Sequence, residues 1–133
     1  MPEATQYGNS QRRLVKILVV DDEPDVAASL KSDLERHGFS VDACTDPQEA
    51  LEIFKPHTYD LLLLDINMPK LDGFELFEKI QKKDPQASAC FITAFETYFE
   101  ALKKIFPGME IDSYIRKPIS ISDLTKQIQF RFQ

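Results

Sequence analysis

The sequence predicts an α/β protein: a three-layer sandwich in which a five-stranded parallel sheet lies between helices, five helices in all. Three observations carry this. Five short apolar runs recur along the chain, each followed by a stretch whose apolar residues return every three or four positions. The first and third runs, Val15–Val20 and Asp60–Leu64, are β-branched and leucine segments of the kind found in strands covered on both faces. The spacing of the runs is that of strand–helix–strand units, whose parallel crossovers wind right-handed.

The elements follow in order. Residues 1–13 are polar and aperiodic and read as a flexible lead-in to a single domain over 14–132. Val15–Val20 is the first strand. Pro24 suits the first turn of a helix, Val26, Leu30 and Leu34 recur at four-residue spacing, and Gly38 closes it. Phe39–Cys44 alternates as a second strand. Asp46-Pro47-Gln48-Glu49 then reads as an N-cap, a first-turn proline and an N3 glutamate; the helix carries Ala50, Leu51 and Phe54 and stops at Pro56. Asp60–Leu64 is the third strand and Asp65–Leu71 a loop. Asp72-Gly73-Phe74-Glu75 repeats the capping pattern ahead of Phe74, Phe77 and Ile80, and that helix ends before Pro85. Ala87–Thr93 is the fourth strand. Phe95, Phe99, Leu102 and Phe106 mark the fourth helix, Glu110–Ile115 the fifth strand, and Ser120–Phe132 an amphipathic fifth helix.

Composition narrows the function classes. A chain of 133 residues with 43% hydrophobic and 29% charged content is an ordinary globular domain, and its net charge of −6 speaks against a nucleic-acid footprint. The longest apolar run is four residues, far short of a membrane span, and no signal-peptide pattern opens the chain, so a cytoplasmic location is expected. Cys44 and Cys90 are isolated and read as small core residues. His37 and His57 lie near helix ends without ligand partners at useful spacing.

Four of the apolar runs end in groups suited to phosphate and metal chemistry. Ile17–Val20 leads into Asp21 and Asp22, and Leu61–Leu64 into Asp65. Phe91–Ile92 ends at Thr93, and Tyr114–Ile115 is followed by Arg116, Lys117 and Pro118. In a parallel sheet these ends share one edge, where open α/β sheets bind ligands. Clustered carboxylates invite a divalent cation, a hydroxyl and an ammonium invite an anion, and the combination suits phosphorylation of an aspartate. Spacing alone does not separate Arg116 from Lys117 as the phosphate-facing base.

Val19-Val20-Asp21-Asp22-Glu23, Leu64-Asp65-Ile66-Asn67-Met68-Pro69 with Gly73, Thr93-Ala94, and Tyr114-Ile115-Arg116-Lys117-Pro118 occur in that order. Over nearly its whole length the chain thus resembles the receiver domain of two-component response regulators, the CheY-like family of flavodoxin-like fold. The resemblance implies strand order 2-1-3-4-5 and Asp65 as phospho-acceptor. It implies Mg²⁺ or Mn²⁺ held by Asp22 directly, Asp21 largely through water, Asp65 and the main-chain carbonyl of Asn67. Thr93 and Lys117 would bind the phosphoryl group, Thr93 and Tyr114 would form the switch, and the Lys117–Pro118 bond would be cis. The implied donor is a sensor histidine kinase or a phosphotransfer protein, with the chain a phospho-acceptor that assists its own phosphorylation rather than an enzyme with a separate substrate.

Two stretches depart from the family. Ile105–Ile111 is longer and more apolar than the usual Gly-Ala turn, and Phe95, two residues after Thr93, is bulky enough to screen the phosphoryl group from water. With no effector domain after Gln133, the output is expected through a protein–protein surface on the fourth helix, fifth strand and fifth helix. There Tyr98, Ile105 and Phe106 supply apolar area and Lys103, Lys104 and Lys126 supply charge. Two other function classes compete. A pseudo-receiver that only binds would need none of Asp22, Asp65, Thr93 and Lys117. An aspartyl-phosphate phosphatase or phosphotransferase would usually carry a second aspartate where Asn67 stands.

Overall fold

The computed structural model describes residues 14–93 and 114–132. The lead-in, the helix expected over Phe95–Phe106 and its apolar extension lie outside them. Five strands, β1 (Lys16–Val20), β2 (Ser40–Cys44), β3 (Leu61–Asp65), β4 (Ala89–Thr93) and β5 (Tyr114–Arg116), form one parallel sheet in the order β2-β1-β3-β4-β5. Among the described residues the helices are α1 (Pro24–Arg36), α2 (Pro47–Ile53), α3 (Gly73–Lys83) and α4 (Ile121–Arg131).

The two-residue period of a strand sends alternate side chains to opposite faces, and here both sets are apolar. Leu18, Val20, Leu62, Leu64 and Phe91 meet Ala50 of α2 and Leu76, Phe77 and Ile80 of α3. Ile17, Val19, Leu61, Leu63 and Ile92 meet Leu30 and Leu34 of α1 and Leu124 and Ile128 of α4. Phe91 anchors the first layer, with Phe74 at 5.0 Å and Phe77 edge-on at 5.6 Å between ring centroids. Cys44 belongs to one layer and Cys90 to the other, both buried as free thiols. None of the described helices is long and apolar enough to cross a membrane.

Element ends follow local chemistry. Asp46 caps α2 by accepting from the Gln48 N–H at 2.9 Å, one position earlier than an N3 bond. Asp72 and Glu75 complete a reciprocal capping box on α3, at 2.9 and 3.2 Å. Gly38 closes α1 at φ 93°, where a side chain would be strained. Several expected bounds shift. β3 starts and ends one residue later than expected, because Asp65 still pairs with Ile92 and the Ile66 N–H reaches the Ile92 carbonyl at 3.0 Å. β4 begins at Ala89, since Ala87 is held in a turn by the Asp84 carbonyl. α2 ends at Ile53 because Phe54 turns extended and buries against Tyr59. The described part of β5 runs one residue past Ile115, to Arg116.

Candidate functional site

The site sits where β1, β3 and β5 end. The ladder continues one residue beyond β1, with the Asp21 N–H on the Cys44 carbonyl at 3.1 Å, so Asp21 stays wholly buried while Asp22 turns half outward. The Glu23 N–H donates to Asp21 Oδ1 at 2.9 Å and fixes that carboxylate. At the end of β3, Asp65 is 3% exposed and accepts from the Asn67 N–H at 3.2 Å. The chain then turns through Met68 and Leu71, both buried, into α3. Gly73 lies against that strand end, its N–H on the Ile66 carbonyl at 3.1 Å. A Cβ there would sit 2.6 Å from the Asp65 carbonyl oxygen, so only glycine fits.

Carboxylate oxygens of Asp21, Asp22 and Asp65 lie within 4.8 Å of one another. Lys117 reaches in from beyond β5, its Nζ 3.3 Å from Asp21 Oδ2, 3.8 Å from Asp65 Oδ2 and 3.2 Å from Glu23 Oε1. Of the two adjacent bases, Lys117 is the one whose side chain is described, and it faces the carboxylates. The Lys117–Pro118 peptide bond is cis, as expected. Thr93 ends β4 opposite Arg116, and Tyr114 opens β5 opposite Phe91. The side chains of Thr93, Tyr114 and Arg116 lie outside the described residues.

Electrostatics mark Asp65. Burial, and then the neighbouring Asp21 carboxylate, push its carboxyl up to about 7, against the downward pull of Lys117 and the Asn67 N–H. Burial alone would lower the Lys117 ammonium, but the carboxylates of Asp65 and Asp21 and the hydrogen bond to Glu23 outweigh it and hold it raised. One ammonium does not neutralise three carboxylates, and Asp21 Oδ2, although buried, has no hydrogen-bond partner among the described residues despite its 3.3 Å approach to Lys117. A buried anionic oxygen with no donor suits a cation, and an all-oxygen donor set suits a hard divalent one.

Glu23 is the participant that sequence reasoning missed. Its signal was positional: it fills the N-cap of α1, where Ser, Thr, Asp or Asn is favoured, and its side chain makes no cap bond.

The response regulator receiver domain family matches residues 17–129. Over 120 residues the chain is 37% identical to the probable transcriptional regulator ycf27 of Cyanidium caldarium, covering 89% of this chain and 46% of that one. It is 33% identical over 116 residues to the alkaline phosphatase synthesis transcriptional regulatory protein PhoP of Bacillus subtilis, covering 86% of this chain and 47% of that one. The chain thus spans about half the length of the curated relatives it matches. Among solved structures, a CheY-like receiver domain protein from Methanospirillum hungatei is similar at TM-score 0.77 and 29% identity, over 90% of this chain and 94% of that one. The response regulator TrrA of Thermotoga maritima, solved with Mg²⁺ and BeF, is similar at TM-score 0.73 and 31% identity, over 88% of this chain and 98% of that one. By fold, by ordered motifs and by these similarities, the chain belongs to the receiver domain family of two-component response regulators.

Proposed function

We propose that Asp65 is the phospho-acceptor of this receiver domain, which extends over residues 14–132. The observation that carries the reading is its placement: a buried strand-end carboxylate between two other acids, with an ammonium 3.8 Å away. In the transfer, an Asp65 oxygen bonds to phosphorus as the P–N bond of a phosphohistidine donor breaks, and the released imidazole takes up a proton. Lys117 pairs with the phosphoryl oxygens as a point charge, and Thr93, at the end of β4, donates its hydroxyl to them. Asp22 would ligate Mg²⁺ or Mn²⁺ directly and Asp21 largely through water, with Asp65 and the main-chain carbonyl of Asn67 completing the protein's share. A divalent ion held there supplies the positive charge that lets an anionic carboxylate and an anionic phosphoryl group meet. The buried Asp21 keeps that charge close to β1 and orients the turn through Glu23.

The chain acts as an acceptor and switch rather than as an enzyme on a separate substrate, and it works in the cytoplasm. A phosphoryl group adds about −1.5 to −2 charges and draws in Lys117 and Thr93, which biases Tyr114 on the neighbouring strand. The output leaves through a face that includes β5 and α4, toward a protein effector. The donor is a sensor histidine kinase or phosphotransfer protein. A groove of about 420 Å³ beside Lys117, whose lining includes Val26, Leu30, Pro118, Ile119 and Ile121, supports a protein donor.

Intact-protein mass spectrometry tests the reading. Acetyl phosphate with Mg²⁺ should add one phosphoryl group to the wild type and none to Asp65→Asn. Undiminished labelling of the variant would sink the assignment, and no labelling of wild type with any donor would favour a constitutive binding module.

A further inference from the structure

Lys117 is shared unequally. Its two inner partners, Asp21 and Asp65, are buried, whereas its shortest ion pair, 3.2 Å and hydrogen-bonded, is to Glu23, whose side chain is 63% exposed. Glu23 does not serve α1 in the usual way: no backbone N–H of the first turn is bonded to its side chain, and Pro24 removes one of those donors altogether. Its backbone is pinned from the other direction, by the N–H bond to Asp21 Oδ1. The carboxylate is therefore held at the rim with its reach directed across the mouth to a lysine 94 residues on.

We propose that Glu23 is a resting-state counter-ion for Lys117, a positioning residue that keeps the ammonium at the mouth and slows capture of an anionic phosphodonor until it is released. This rests on the phospho-acceptor reading of Asp65. A phosphoryl oxygen must compete for the same ammonium, and the exposed pair is the one given up first, because water and salt screen it while the buried pairs are screened less. The Glu23 charge also faces any incoming anion. The residue thereby sets how readily small anionic donors phosphorylate the chain, while a protein donor that brings its own cations is affected less.

The experiment compares initial phosphorylation rates of the full chain by acetyl phosphate at saturating Mg²⁺ in wild type, Glu23→Gln, Glu23→Asp and Asp25→Asn. Asp25 lies in the first turn of α1, two residues from Glu23, but Lys117 makes its ion pairs with Asp21, Glu23 and Asp65 among the described residues. Glu23→Asp keeps the charge and loses the reach. Both Glu23 variants should be about two- to fivefold faster than wild type, the scale of one exposed ion pair, and Asp25→Asn should stay close to wild type. The Lys117 ammonium resonance in the donor-free protein should move in both Glu23 variants and not in Asp25→Asn. Glu23→Asp matching wild type, or Asp25→Asn speeding up as much as Glu23→Gln, would reduce the effect to net charge and overturn the inference. A slower Glu23→Gln with weakened Mg²⁺ affinity would assign Glu23 to the metal instead and also overturn it. Labelling of wild type with unchanged rates in both Glu23 variants sinks this inference alone. No labelling of any protein sinks the phospho-acceptor reading and this inference with it.

Discussion

Replacing Asp65 by Asn should stabilise the metal-free protein, by an amount that grows as pH rises from the ordinary carboxyl value toward the raised one. The folded state holds the Asp65 proton up to about pH 7, against an ordinary value of 3.8. Between those limits the native chain binds more protons than the unfolded chain, so stability falls as pH rises, with a slope of at most about 1.4 kcal/mol per pH unit. Below the lower limit both states are protonated and nothing is lost. Above the upper limit the loss is complete and levels off. Taken in full the span is about 4 kcal/mol, but the mouth is open to water past Asp22 and Glu23, so roughly 2 kcal/mol is expected. Asn matches the protonated carboxyl in shape and carries no charge. Urea unfolding followed by circular dichroism, with a chelator present, should therefore give equal stabilities near the acid limit. An advantage of roughly 2 kcal/mol for Asp65→Asn should open toward mild alkali. Added Mg²⁺ should close that gap by stabilising wild type more than the variant. Parallel pH profiles for the two proteins would refute the claim that the fold keeps this carboxylate at an energetic cost.

Other outcomes follow from the same geometry. Asp22→Asn should weaken Mg²⁺ binding more than Asp21→Asn in a calorimetric titration; equal affinity for wild type and the Asp22 variant would contradict direct ligation. Lys117→Ala should destabilise the metal-free protein by roughly 1–3 kcal/mol, because Asp21 and Asp65 lose their common counter-charge, and Mg²⁺ should restore much of the loss in a thermal melt. Gly73→Ala should cost roughly 1–3 kcal/mol in urea unfolding, since its methyl would meet backbone rather than a movable side chain. Thr93→Ala should leave the domain folded and phosphorylatable while removing the phosphorylation-linked change in the Tyr114 resonances, as heteronuclear NMR would report.

Most of the sheet was legible because its strands are buried on both faces, so that Ile17–Val20 and Leu61–Leu64 stand out as uninterrupted apolar runs. The acids that end those runs were legible through their conjunction with Thr93 and Lys117, since each alone reads as well as a capping group or a solvated strand end. Three features needed coordinates. Arg116 and Lys117 are neighbours of one charge, and which faces the acids depends on how the chain leaves β5. The end of β3 depends on Ile92, a residue of another strand. The role of Glu23 depends on a lysine 94 residues away, a separation over which local patterns carry no information. The stripe Phe95–Phe106 and the expected output side chains Tyr98, Ile105, Lys103 and Lys104 fall outside the described residues.

The packing of Gly73 on Asp65 decides how a signal can leave the cleft. That contact is main chain on main chain, with no rotatable group between the start of α3 and the end of β3, so the two behave as one solid piece. The facing wall is attached differently. Lys117 is secured by three ion pairs of 3.2 to 3.8 Å, which can be exchanged one at a time for bonds to an arriving anion. A new charge on Asp65 therefore meets one immovable jaw and one that yields. On the proposed phosphorylation the displacement would go into the yielding side, along the chain from Lys117 toward β5 and α4, a direction favoured by a mechanical asymmetry that the fold already holds.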